Sequence, residues 1–259
     1  SIYCDMSRFF YYKCLMMGAN HVMLQDLGDI KIERYTGAGM TEQEALQLVQ
    51  AMPYEENNPY NPAFSYSIFL ISVILLIIVQ QTMFYGMCIL NGTMRERGGS
   101  FAVVPGRENQ RGGLRIVFGR GAAYWLVYMA IGLYIAIIVP AMFGIPQRGE
   151  FWNIVLLTTV FVTDCVFFSM TWSSFIKRRE SVFVLFLIMS PICVFLTGTS
   201  WPVSAIPGFW RAFSCIFPST FGAQAFINLS TAGGALSNAG GQMTNMLIQT
   251  DVYLVLATV

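Results

Sequence analysis

The stretch FSYSIFLISVILLIIVQQTMFYGMCIL (Phe64–Leu90) contains no charged residue and runs directly into NGTMRERGGSFAVVP (Asn91–Pro105). A helix crosses the hydrocarbon core of a bilayer with about 20 apolar residues, so the first stretch is long enough to span a membrane. The second stretch contains two arginines and one glutamate. We therefore predict a transmembrane helix that ends in a short polar elbow, Met94–Pro105, at the membrane surface.

The composition of the whole chain is typical of an integral membrane protein. Of the 259 residues, 55% are hydrophobic and 11% are charged, whereas soluble domains carry about 25% charged residues. The formal net charge of +1 gives no general attraction to nucleic acid, so no such partner is predicted. The six cysteines form neither a CxxC pair nor a Cys/His cluster, so we predict no disulfide framework and no metal site.

Five apolar segments follow one another after residue 60. Each is close to the length that a transmembrane helix needs, and the end of the sequence cuts off the last one. Pro191 lies inside the fourth segment and predicts a kink there, because proline cannot donate the helical hydrogen bond. We predict transmembrane helices at about 64–90, 122–143, 151–176, 182–201 and 243–259.

The arginines and lysines predict which loops face the cytoplasm, because cytoplasmic loops carry an excess of both residues. The loop after the third segment contains Lys177, Arg178 and Arg179. The loop after the first segment contains Arg95, Arg97, Arg107, Arg111, Arg115 and Arg120. Both loops are therefore predicted to be cytoplasmic and the N-terminal part to be outside. An outside domain requires a preceding crossing, so we expect six crossings in all and expect this chain to be truncated at both ends.

Residues 1–60 are the one part of the chain with a soluble character. A helix is predicted over Ser7–Leu27, which has a broad apolar face, and a strand over DIKIERY (Asp29–Tyr35), which alternates between apolar and polar residues. Thr41 and Glu44 form a capping box for a further helix. We therefore predict that residues 1–60 are the C-terminal part of an extracytoplasmic α/β domain. Residues 61–259 would form a mainly α, polytopic membrane helix bundle.

The region of residues 206–230 is rich in aromatic residues but is interrupted by Pro207 and Pro218. It is too broken to span a bilayer, and irregular backbone at membrane depth needs protein or water around it. We predict short re-entrant or interfacial helices on the outer side. Trp201 and Trp210 suit the membrane interface.

The elbow has two possible roles. It is either an ordinary basic cytoplasmic loop or a short coupling helix. In the second case Arg95, Glu96 and Arg97 would anchor the elbow, and the apolar residues Phe101–Pro105 would press into a partner. The sequence has no GxxxxGK[ST] phosphate loop, and no catalytic residues are predicted. If ATP drives this protein, another chain hydrolyses it.

Four of the polar residues inside the predicted membrane helices are candidates for a function. Gln80, Gln81 and Thr82 either join helices by hydrogen bonds, worth about 0.6–2 kcal/mol each, or line a substrate path or dimer seam. Asp164 is central in the third segment, where a carboxylate is a functional candidate by default. It is either protonated or hydrogen-bonded beside Thr158, Thr159 or Thr163, or it relays protons or meets a cationic substrate.

Two blocks of the sequence resemble a known family. YNPAFSYSIFLISVILLIIVQQTMFYGMCILNGTMRERG (Tyr60–Gly98) and LTGTSWPVSAIPGFWRAFSCIFPSTFGAQAFINL (Leu196–Leu229) are similar to ABC-2 type permeases. These are the membrane subunits of ATP-binding-cassette exporters, here in a multidrug-efflux-like form of Bacteroidetes-like bacteria. The resemblance extends over the whole chain in order, with the first transmembrane helix and most of the periplasmic domain missing.

The resemblance implies an architecture and a set of partners. Family members have six transmembrane helices, with a large periplasmic domain between the first two, in the bacterial inner membrane. Two permease chains pair, as a homodimer or with a sister permease, and separate ATPase chains that bind ATP and Mg²⁺ dock on the cytoplasmic loops. This chain itself would bind no cofactor. A periplasmic adaptor protein and membrane lipid are further expected partners.

The resemblance also implies roles for individual residues. Arg95, Glu96 and Arg97 correspond to the coupling elbow, together with Phe101 and Pro105. The residues that shape the outer gate region are Trp201, Pro202, Pro207, Trp210 and Pro218. Drugs, lipids and peptides are all compatible with the apolar helices as substrates. Two other functions stay open from the sequence, namely a membrane anchor or scaffold and an ion-coupled carrier that uses Asp164.

Overall fold

A computed structural model describes residues 9–41, 43, 66–96, 111–145, 147–198, 206–231 and 233–258. The chain divides into two units, Ser1–Ser65 and Tyr66–Val259. Every element in the described part of the chain is helical. The prediction of a mainly α, polytopic helix bundle is therefore confirmed.

One long helix, α1 (Phe9–Gly37), forms the described part of the first unit. The predicted strand at Asp29–Tyr35 is wrong, because these residues continue α1. A seven-residue alternation is short, and its lysine, glutamate and arginine are good helix formers. The helix ends only where Gly39 takes a positive φ of 92° and the Met40 N–H bonds back to the Tyr35 carbonyl at 3.2 Å, which is a Schellman motif.

The helix predicted after Thr41 lies almost entirely outside the described residues. Nothing in the described part therefore tests the capping box of Thr41 and Glu44.

The second unit is a bundle of eight α-helices in its described residues. Three shorter helical turns lie next to these helices, namely a π-helical turn at Tyr134–Ile138, another at Ile227–Thr231 and a 3₁₀ turn at Leu236–Ala239. The α-helices are α2 (Tyr66–Glu96), α3 (Arg111–Leu133), α4 (Val139–Met142), α5 (Phe151–Phe175), α6 (Arg179–Leu196), α7 (Gly208–Ser214), α8 (Pro218–Phe226) and α9 (Gly240–Thr258).

Four stretches of the described helices are long and apolar enough to cross a membrane: Val73–Glu96, Val117–Met142, Phe151–Phe175 and Arg179–Leu196. They correspond to the first four predicted segments. The predicted fifth segment is helical as α9 but is not among these four. The helix of the fourth segment, α6, continues through Pro191.

The helices extend beyond the apolar segments that predicted them. Helix α2 continues to Glu96, and α3 begins at Arg111. Arg111, Arg115 and Arg120 therefore lie on a helix, and their assignment to the loop is wrong. An apolar run marks the part of a helix that can lie in the hydrocarbon core, whereas the helical hydrogen bonding of the backbone can continue past that part.

Helix α5 is the centre of the bundle, because it packs against α2, α3, α8 and α9. The Phe168 ring of α5 is fully buried and makes edge contacts with Phe217 and Tyr253 at centroid distances of 6.2 and 5.4 Å. Helix α8 fits against α5 at Gly222, where an added Cβ would lie 2.5 Å from Cδ2 of Phe161. Only glycine permits this approach.

The interrupted region forms two short helices, as predicted. Pro207 precedes α7 and Pro218 is the first residue of α8, positions where the missing proline N–H costs no helical hydrogen bond. Helix α7 is largely exposed and includes Phe209 and Trp210, whereas α8 is almost entirely buried.

We expect Gly222→Ala to destabilise the bundle. The new methyl group would force the buried Phe161 ring to move, and such overpacking costs about 1–3 kcal/mol. The measurement is the thermal unfolding midpoint of the purified full-length protein in detergent. Gly86→Ala is the matched control, because Gly86 lies inside α2 with nothing within 4 Å of an added Cβ. Equal midpoints for the two variants would contradict the packing argument.

Candidate functional site

A buried glutamine on α2 holds the start of α8. Gln80 is 0% exposed, and its Oε1 accepts a hydrogen bond from the Ser219 backbone N–H at 2.6 Å. Ser219 lies in the first turn of α8, whose N–H groups have no partner within the helix. Gln80 is seven residues inside the apolar stretch that begins at Val73, which is about 10 Å along the helix. Helix α8 therefore starts well inside the bundle, beside the apolar stretch of α2.

The two glutamines also bind α6. Gln80 Nε2 and Gln81 Nε2 donate to Cys193 Sγ at 3.7 and 3.4 Å, and sulfur is a weak acceptor. These contacts join α2, α6 and α8 at one point. Thr82 is separate from this point, since its side chain is exposed and its hydroxyl donates to the Ile78 carbonyl of its own helix at 2.7 Å.

Asp164 lies on α5 and is fully buried. Thr250 and Tyr253 of α9 lie next to it, but the Thr250 hydroxyl donates to the Met246 carbonyl at 2.9 Å. Neither carboxylate oxygen has a hydrogen-bond partner among the described residues. A buried polar group without a partner is costly and calls for an explanation.

The threonines that the sequence suggested as partners of Asp164 do not bind it. Thr158, Thr159 and Thr163 each donate to a carbonyl four residues earlier in α5, at 2.7–2.8 Å. The hypothesis that they satisfy the carboxylate is wrong. A hydroxyl in a membrane helix has this backbone acceptor available at every position, so sequence proximity does not decide its partner.

The last turn of α2 holds the α5–α6 turn, Ile176–Arg178. Arg95 Nη1 donates to the Ile176 carbonyl, just past the end of α5, at 3.1 Å. Glu96 Oε1 accepts the backbone N–H of Arg179, the first residue of α6, at 2.9 Å, and its Oε2 lies 3.4 Å from Arg179 Nε. A cation at a helix C-terminus and an anion at a helix N-terminus both match the helix dipoles. We name these contacts the clamp.

Gly92 allows the clamp to form. A Cβ at this position would lie 2.9 Å from the Arg179 backbone nitrogen and 3.1 Å from its Cα. The backbone of α2 therefore approaches the start of α6 more closely than any residue with a side chain would permit. Sequence reasoning missed Gly92, because a glycine in a helix signals close packing only when its neighbour is known.

Asn91 connects three helices beside the clamp. Its Nδ2 donates to Ser173 Oγ of α5, and its Oδ1 accepts from Arg120 Nη2 of α3 at 2.9 Å. Sequence reasoning counted Arg120 as loop charge and gave Asn91 no role. The signal that could have found Asn91 is its spacing from Arg95, four residues later on the same helix face.

The remaining predicted site residues are placed as follows. Arg97, Phe101, Pro105, Trp201 and Pro202 lie outside the described residues, so their roles in the elbow and outer gate stay predictions. Within the described residues no group of three or more His, Cys, Asp or Glu side chains is arranged to hold a metal ion.

Comparison with known proteins gives one match. Residues 9–259 match a family model described as an ABC-2 family transporter protein. No curated protein and no solved structure matches the chain significantly.

We expect Gln80→Met to loosen α8. The substitution keeps the volume but leaves the Ser219 N–H buried without an acceptor, which costs about 1–3 kcal/mol. Cys193, which is also 0% exposed, should then react faster with N-ethylmaleimide, as measured by peptide mass spectrometry. Thr82→Val is the control, because Thr82 lies two residues away on the exposed face. Unchanged labelling of Cys193 in Gln80→Met would show that the hydrogen bond from Ser219 to Gln80 does not hold α8 in place.

Proposed function

Because the chain belongs to the ABC-2 family of transporter proteins, we propose that it is the permease subunit of an ATP-driven exporter. Members of this family normally work with an ABC ATPase partner. In this proposal separate ATPase chains dock on the two basic loops, and the permease moves a hydrophobic or amphipathic substrate outward across the bacterial inner membrane. The N-terminal unit is periplasmic, and a second permease chain completes the path.

The clamp is the observation that carries this proposal. Arg95 and Glu96 connect the end of α2 to both α5 and α6, so a force applied to the elbow acts on three helices together. Arg179, which begins α6 directly after the second basic segment, is bound by Glu96. An ATPase that moves either loop would therefore move the other as well.

Helix α2 can carry such a movement to the interior of the bundle. It is continuous from Tyr66 to Glu96, and Gln80 lies 15 residues before Arg95, about 22 Å along the helix axis. The movement would reach the point where Gln80 and Gln81 hold α6 and α8. Helix α8 is part of the aromatic region of residues 206–230, which we expect on the outer side, so the point where α2 binds α8 is a natural place for the gate that closes the path.

We expect Glu96→Ala to weaken the coupling between ATP hydrolysis and transport. The change removes a carboxylate cap of α6, worth about 1 kcal/mol, which corresponds to about a fivefold effect. The full-length permease is reconstituted with its ATPase, and substrate-stimulated hydrolysis and export are measured. Glu180→Ala is the control. It also removes one carboxylate, but from an exposed position on α6, directly after Arg179.

Co-purification of the ATPase separates the possible outcomes. Retained binding with lost stimulation would support transmission through the clamp, whereas lost binding would indicate a direct contact with Glu96. Gly92→Ala is a second variant that tests the clamp. Its methyl group would push α2 away from the Arg179 backbone without removing a charge. Normal stimulation and export in both variants would refute the coupling role. If no ATPase binds and nothing is exported, a scaffold function is favoured.

A second candidate function is an ion-coupled carrier, and the unpartnered carboxylate of Asp164 favours it. We expect Asp164→Asn to leave ATP-driven export largely intact, because the amide fits the same buried space and the proposed cycle needs no proton there. In an ion-coupled carrier the same substitution abolishes transport and its dependence on pH. Transport assays with the reconstituted protein at two pH values distinguish the two.

A further inference from the structure

A cavity of about 220 Å³ lies between α2, α3, α5 and α9, at the end of the bundle where α2 ends. Its volume is several times the share of about 30 Å³ that one water molecule takes in the liquid. The side chains with hydrogen-bonding groups that line it are Asn91, Arg95, Arg120, Tyr124, Ser173 and Ser174. Among the described lining residues two are arginines and none is acidic.

A hydrogen bond to a buried polar side chain contributes to the position of Arg120. Asn91 is 5% exposed and uses both ends of its amide, one on Ser173 and one on Arg120. The guanidinium is therefore oriented before any ligand arrives. An arginine ordered in this way loses less side-chain entropy when it binds an anion.

Arg95 supplies the second positive charge. Among the described residues it donates one hydrogen bond, to the Ile176 carbonyl, and a guanidinium carries five N–H donors. Glu96, its neighbour in sequence, pairs with Arg179 and does not line the cavity. The cavity thus combines two guanidinium groups with nearby hydroxyl groups in a partly enclosed space.

We propose that this cavity binds the phosphate group of an anionic phospholipid or of another small phosphate-bearing molecule. Guanidinium groups bind phosphate oxygens with two parallel hydrogen bonds, and the hydroxyl group of Tyr124 can donate to a remaining oxygen. Basic pockets between membrane helices near the bilayer surface are known to take anionic headgroups. This inference does not depend on ATP-driven export.

Native mass spectrometry of the full-length protein in detergent tests the proposal. The probes are dioctanoyl phosphatidic acid and dioctanoylglycerol, which has the same tails without the phosphate. We expect phosphatidic acid to bind and Arg120→Gln to weaken it about tenfold, the effect of one lost charge-assisted contact. The matched control is Arg115→Gln, because Arg115 is an exposed arginine on the same helix that does not line the cavity. Its affinity should equal that of the unmodified protein.

Ser174→Phe is the second variant, since it fills the cavity while both arginines remain. It should also weaken binding, and it keeps the proposal testable if Arg120→Gln misfolds. Inorganic phosphate separates the two sources of ligand. If millimolar inorganic phosphate displaces phosphatidic acid, the cavity recognises the phosphate group alone. If phosphatidic acid binding depends on Arg120 but is not displaced by inorganic phosphate, the ligand is a lipid. Equal binding of dioctanoylglycerol, or normal phosphatidic acid affinity in both cavity variants, would overturn the proposal.

Discussion

Helix ends inside a membrane protein must have their free backbone groups satisfied, because the hydrocarbon core offers no water to do so. In this bundle α2 supplies the side chains for three helix ends, one buried at the start of α8 and two at the exposed α5–α6 turn. Gln80 accepts the Ser219 N–H at the start of α8, Arg95 donates to the Ile176 carbonyl after α5, and Glu96 accepts the Arg179 N–H at the start of α6. The arrangement of α5, α6 and α8 depends on these contacts with one helix.

This arrangement gives α2 a double role. Its last turn binds the α5–α6 turn, and its middle binds α6 and the start of α8. In an ATP-driven permease of the kind we propose, the same helix would connect the surface on which an ATPase docks to the interior that a substrate crosses. Asp164 stands apart from this connection, since α5 and α9 bury its carboxylate without a partner among the described residues.

The parts of the fold that were predictable are those set by long apolar runs. The predicted segments at 64–90, 122–143, 151–176 and 182–201 all contain helices that can span a membrane, and the prolines at 207 and 218 correctly marked two short helices. Predictions from short patterns failed. DIKIERY alternates like a strand but continues α1, and the charged residues Arg111, Arg115 and Arg120 were assigned to a loop but lie on α3. Local hydrogen bonding and helix propensity outweighed these patterns.

The sequence by itself determined that this chain is a membrane helix bundle. An uninterrupted apolar run of about 20 residues is long enough to cross the hydrocarbon core as a helix, and the length of such a run can be read from the sequence. It also identified Arg95, Glu96, Gln80 and Gln81 as polar residues in unusual places. Only the tertiary structure decided what they bind. Their partners, Ile176, Arg179, Ser219 and Cys193, lie more than 80 residues away along the chain, and such contacts follow from how the helices pack, which composition and periodicity do not encode.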